Sequence, residues 1–107
     1  MMDWYIIEKH YPKALTEFTN TMFPNIGLPC ISLLSYYEIK KLYNFFDKNG
    51  IYLTVEMITK NNWVYSISLI DGKCIIPYQN VKENRELIEV EGFNECFKLL
   101  ENKMKGL

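Results

Sequence analysis

Alanine, arginine and histidine are almost missing from this chain: Ala14, Arg85 and His10 are single representatives among 107 residues. One imidazole excludes a two-histidine metal site. It leaves a Cys–His nucleophile only if His10 meets a cysteine in space, and Cys30, between Pro29 and Ile31, is the best-placed cysteine. One arginine and a net charge of -1, from 12 basic against 13 acidic side chains, argue against a binder of polyanions and equally against an acidic mimic of nucleic acid. No apolar run approaches the roughly 18 residues of a membrane span. The first residues, Met1-Met2-Asp3-Trp4-Tyr5, carry an acid where a signal peptide carries bases, so a cytoplasmic chain is expected. Cys30, Cys74 and Cys96 are odd in number, widely spaced and lack any Cys-x-x-Cys, which predicts free thiols and no zinc site. The glycines, at 27, 50, 72, 92 and 106, are too scattered to cradle a phosphate. No cofactor and no metal are expected, and an enzyme is not the favoured reading.

What the chain has in excess is aromatic: 8 Tyr, 6 Phe and 2 Trp, 15% of residues. The bias toward Ile, Asn, Lys, Tyr and Phe resembles translation of an AT-rich gene, which accounts for part of that surplus without function. The length fits one domain, 1–107, divided into a helical part (1–50), a β-meander (51–79) and a C-terminal helix (83–105).

Trp4, Ile7, Tyr11, Leu15, Phe18 and Met22 recur at helical spacing, interrupted by Pro12. A proline is tolerated at the first helical position and not inside, so the spacing predicts a turn over 3–10 and a helix over 12–22, or else one kinked helix. The stretch Phe23-Pro24-Asn25-Ile26-Gly27-Leu28-Pro29-Cys30 reads as an ordered loop. Ser35-Tyr36-Tyr37-Glu38 matches a capping box that opens a second helix, with Ile39, Leu42, Tyr43 and Phe46 buried and Asn49-Gly50 closing it.

Three strands follow. Ile51, Leu53, Val55 and Met57 alternate with Tyr52, Thr54, Glu56 and Ile58, and Trp63, Tyr65, Ile67 and Leu69 with Val64, Ser66, Ser68 and Ile70. A two-residue Asp71-Gly72 turn sets Leu69 opposite Cys74, Ile67 opposite Ile76 and Tyr65 opposite Tyr78. A three-residue loop, Lys60 to Asn62, pairs Met57 with Tyr65, with Asn62 left-handed. Pro77 places the third strand at an edge. Thr54, Glu56, Ser66, Ser68 and Lys73 mark a wet face, and Cys74 and Cys96 fall on core faces.

The last helix shows Leu87, Val90, Phe93, Phe97, Leu100 and Met104 at helical spacing. Gly92 inside it implies close approach to the sheet or a kink. Its glutamates, 83, 86, 89, 91, 95 and 101, alternate with Lys82, Arg85, Lys98 and Lys103 and read as a solvated face. The fold expected is α+β in two layers: a three-stranded antiparallel meander with N-terminal helices and a long C-terminal helix packed on one face.

Two stretches, Asn44-Phe45-Phe46-Asp47-Lys48-Asn49-Gly50-Ile51-Tyr52 and Asn84-Arg85 with Glu91-Gly92-Phe93-Asn94-Glu95-Cys96-Phe97-Lys98-Leu99-Leu100-Glu101, together resemble small phage and prophage proteins of the phage ABA-sandwich type, common in Bacteroidetes. Gly92 and Cys96 stand where those proteins commonly have alanines. The resemblance implies a mobile-element origin and a non-enzymatic accessory role. It carries no catalytic motif onto these residues.

Tyr5, Tyr36, Tyr37, Tyr52 and Trp63 are left over by the predicted stripes. Tyr and Trp offer large amphipathic area at low entropic cost, so a site for a host or phage protein, or a homodimer patch, built from some of these is the functional expectation. The alternatives are a nucleic-acid-associated regulator, for which a wet face with Tyr52 and Lys73 falls short of a stacking platform, and a small Cys/His-dependent enzyme.

Overall fold

Asp3 starts the first element. In the computed structural model, which describes residues 2–22 and 39–106, its carboxylate accepts from the Ile6 amide and caps α1, Trp4–His10. Tyr11 interrupts the helix, and Pro12 opens α2, Pro12–Met22, at the one helical position where a missing N–H costs nothing. Two helices therefore form. α3 runs Ile39–Lys48 and ends as expected: Asn49 and Gly50 amides return to Phe45, Phe46 and Asp47 carbonyls, and Gly50 takes a left-handed φ of 74°. The capping box at 35–38 and the Pro/Gly stretch at 23–30 lie outside the described residues.

The strands β1 (Ile51–Thr59), β2 (Asn62–Leu69) and β3 (Cys74–Lys82) form an antiparallel sheet in the order β1-β2-β3. The α+β fold with a meander and a long C-terminal helix is as the sequence predicts; the registers differ. Val55 pairs with Tyr65 and Met57 with Trp63, two residues away from the expected pairing. The turn is Lys60-Asn61, with Asn61 rather than Asn62 left-handed at φ 61°, and an irregularity between Met57 and Thr59 absorbs the odd residue. A slip of two keeps every side chain on its face, so Ile51, Leu53, Tyr65 and Ile67 are buried as expected. The second hairpin turns through Ile70-Asp71-Gly72: the Gly72 amide donates to the Leu69 carbonyl and Gly72 has φ 85°. Ser68, not Leu69, therefore faces Cys74, which puts the Cys74 thiol on the exposed side. Ile67 pairs with Ile76 as expected, but Tyr65 pairs with Gln79 and Trp63 with Lys82. β3 gains a residue at each step, and Pro77, which cannot donate to the ladder, sits within one of these bulges at the sheet edge. The outer face is not uniformly wet. Thr54, Glu56 and Lys73 are exposed, whereas Ser66 and Val64 of the middle strand are buried.

α4, Arg85–Met104, is capped by Asn84, whose side chain accepts from the Leu87 amide at 2.9 Å. It lies across β1 and β2, α3 packs on β1, and α1 and α2 pack on α4. Its buried residues are two adjacent rows of four-residue spacing, 88-92-96-100 and 89-93-97-101. Leu87 and Met104, expected in the core, are exposed, while Glu89 and Glu101 are buried. The glutamates are therefore not one solvated face: two of them end the second row.

Between α4 and the helices lies an aromatic cluster. Phe97 meets Trp4, Phe18 and Phe46 edge-on, with centroids 5.9, 6.1 and 4.9 Å away. Gly92 is where the helix touches the sheet. A Cβ there would stand 2.6 Å from Leu53 Cδ1 and 3.0 Å from Cδ2, in a buried position. Gly92→Ala is expected to destabilise by up to about 2 kcal/mol: overpacking of roughly 1–3 kcal/mol is set against about 1 kcal/mol gained in helix propensity. Urea unfolding checks this; an unchanged or higher midpoint would mean that Leu53 yields freely.

Candidate interaction surface

The hairpin end of the sheet gathers exposed apolar side chains. Met57 at 55%, Ile58 at 56% and Val81 at 55% exposure lie at the ends of β1 and β3, and Leu87 at 47% lies in the first turn of α4. They are half of the eight large exposed hydrophobic residues among the described residues, all at one end of the sheet, with Met57 on the face of Trp63 and, by alternation, Ile58 and Val81 on the opposite face. Met57, Trp63 and Lys82 form one row across the three strands. Met57, expected in the core, is exposed because this row lies at the hairpin end of the sheet.

Trp63 is half-buried against the core, and the Arg85 guanidinium stands 5.9 Å from its ring centroid. Arg85 Nε lies 3.6 Å from Glu89 Oε2, and Tyr43 Oη donates to the same oxygen at 2.8 Å. Lys82 Nζ reaches Glu91 Oε1 at 3.2 Å. The buried Glu89 carboxylate is thus held by a hydroxyl and a guanidinium, which fixes Arg85 beside Trp63. Arg85 keeps 61% of its side chain exposed. The arrangement offers a rigid aromatic edge, aliphatic contact area and directed cationic donors.

Of the residues predicted as a partner site, Trp63 lies in this surface. Tyr5 is exposed on α1, beside the exposed Ile6, and Tyr52 is half-buried on the other face of β1, opposite Ser68. Tyr36 and Tyr37 lie outside the described residues. Met57, Ile58, Val81 and Leu87 were not expected. One signal was present: Met57-Ile58 places two apolar residues in succession, which breaks the strand alternation just before the turn.

The remaining reactive groups are dispersed. His10 ends α1 at the surface, with its ring 6.1 Å from that of Tyr11, and Cys30 lies outside the described residues. Among the described residues no three His, Cys, Asp or Glu side chains are grouped to hold a metal. No helix among them is long and apolar enough to cross a membrane.

Three protons are held tightly. Burial pushes the Tyr43 hydroxyl above the ordinary tyrosine range, its bond to Glu89 adds to this, and Arg85 opposes it. Tyr65 is pushed up to about 12 by burial, with Glu95 and Glu91 adding to it. Burial raises the Cys96 thiol, followed by the charges of Glu95 and Asp47. In each case the folded state keeps a proton that the unfolded chain releases first. Their contribution to stability is whole below about pH 9 and is lost as pH rises from there through about 12. Denaturant unfolding at about pH 8, 10 and 11 should show falling midpoints. A flat profile would contradict the burial of these groups.

No protein-family model, curated protein or solved structure matches this chain.

Proposed function

We propose that the protein is a non-enzymatic interaction protein that binds a protein partner through the hairpin end of its sheet. The observation that carries this reading is the exposure of Met57, Ile58, Val81 and Leu87 at the end of the sheet that also holds Trp63 and Arg85. Aromatic and arginine anchors surrounded by apolar area are the usual energetic centre of protein interfaces. Arg85 gives the partner's chemistry a direction: an apolar segment carrying a carboxylate to which the partly exposed guanidinium can donate. A phage or host protein as that partner, a mobile-element origin and a cytoplasmic setting rest on the sequence reading alone.

Affinity capture from the native host, with mass spectrometry, tests the reading when wild type is compared with Met57→Asp/Val81→Asp. Both positions are more than half exposed, so thermal stability should change little. A partner enriched with wild type and lost with the variant is the expected result. The same set of proteins captured by both would remove this surface from the account. Light scattering of the purified protein separates the second-copy case, in which wild type is a dimer and the variant a monomer.

A further inference from the structure

The opposite end of the sheet holds a cavity that the interaction surface does not use. There α3 passes into β1 through Gly50, the β2–β3 turn folds back over it, and the last turns of α4 close one side. The space is about 460 Å³. Its apolar walls are Ile51, Leu69, Ile70, Ile75 and Leu99. Ile70 is 77% exposed, the highest value among the large hydrophobic side chains described, although a Cβ on Gly50 would stand only 3.3 Å from its own Cβ. It is a rigidly placed apolar wall with one side open.

The polar side is Asn49, Asn102 and Lys103. Asn49 spends one donor on the Phe45 carbonyl at 2.9 Å. Lys103 has no ion-pair partner among the described residues, and the Asn102 amide makes no hydrogen bond among them. Two helices have their C-termini here, and helix C-termini disfavour anions. Their caps answer this: the carbonyls of Phe45, Phe46, Asp47, Glu101 and Lys103 already accept from amides of Asn49, Gly50, Lys105 and Gly106. The Lys103 ammonium therefore sets the sign of the rim.

We propose that this cavity binds a small amphipathic monoanion, an apolar chain or ring bearing one carboxylate. The apolar part lies against Ile51, Ile70, Ile75 and Leu99, and the carboxylate is taken by Lys103 Nζ and the Asn102 amide. The volume falls in the range of small-molecule pockets, roughly 300–1,000 Å³, and accommodates a chain of about eight carbons. The site is remote from Trp63 and Met57, so its failure leaves the interaction surface untouched.

Titration of the full chain with sodium octanoate, followed by amide NMR shifts, tests it, with octan-1-ol as the neutral comparison. Saturable shifts at Ile70, Leu99, Asn102 and Lys103, and not at Met57 or Val81, are expected, with a Kd on the order of 0.1–1 mM. Lys103→Gln should weaken octanoate roughly tenfold, the loss of one charge-assisted bond, and leave octan-1-ol unchanged. Ile70→Ser, in the exposed turn, should weaken both. The proposal is overturned by non-saturating shifts up to about 10 mM, by shifts centred elsewhere, by octan-1-ol binding as tightly as octanoate, or by equal octanoate affinity in Lys103→Gln.

Discussion

Phe97→Ala is expected to lower the unfolding free energy by about 3–5 kcal/mol, a large part of the roughly 5–15 kcal/mol available to a domain of this size. Phe97 is fully buried and makes ring contacts with Trp4 on α1, Phe18 on α2 and Phe46 on α3. Removal of the ring deletes its own transfer energy and leaves a void between four helices whose rings are braced on one another: Phe18 on Phe45, and Phe46 on Phe93. Phe97→Leu keeps most of the volume and should cost about 1–2 kcal/mol. Urea unfolding measures both. A loss under about 1 kcal/mol for the alanine variant would mean that the helices do not converge on this ring.

Glu101→Ala should cost about 2–4 kcal/mol, an unusual sum for a glutamate, and lower Tm by roughly 10–20 °C. Glu101 is 1% exposed, and its Oε1 accepts the Ala14 amide at 2.8 Å. That amide belongs to the first turn of α2, where helical N–H groups have no partner within the helix. The carboxylate of one helix thus caps another, across 87 residues of sequence, and supplies negative charge where the α2 dipole favours it. Lys105 Nζ lies 3.4 Å from Oε2, one turn further along α4, and partly neutralises the buried group without a directed hydrogen bond. Alanine would leave the Ala14 N–H buried and unpaired. Glu101→Gln keeps an acceptor and loses the charge, so about 1 kcal/mol is expected. Thermal unfolding of the two variants should separate them; equal loss in both would place the effect in the ion pair rather than in the cap.

Local rules made much of this fold legible. Pro12 divided α1 from α2, Asn49-Gly50 ended α3, Gly92 marked the contact with Leu53, and Pro77 assigned the edge strand, because each acts through backbone constraints within a few residues. Registers were less legible. Alternation fixes which face a side chain takes, but not how many bulged residues β3 inserts between Ile76 and Lys82. Glu89 and Glu101 read as part of a solvated face because the glutamates alternate with Lys82, Arg85, Lys98 and Lys103. Their partners, the Tyr43 hydroxyl, the Arg85 guanidinium and the Ala14 amide, are mostly distant in sequence. For the candidate surface, Trp63 was found as an aromatic, whereas Met57 and Leu87 were assigned to the core because their spacing suits it. Met57 lies at the end of the sheet, and Leu87 lies off the two buried rows of α4.

We propose that a protein partner docks on the β1–β2 hairpin end of the sheet. Site-specific photo-cross-linking in the native host tests it most directly, with a photoreactive amino acid placed in turn at positions 57, 81 and 5. One common protein adduct from positions 57 and 81, and none from position 5 on α1, is the expected result. An adduct from position 5 alone, or none from 57 and 81 while the protein is folded and expressed, would contradict it.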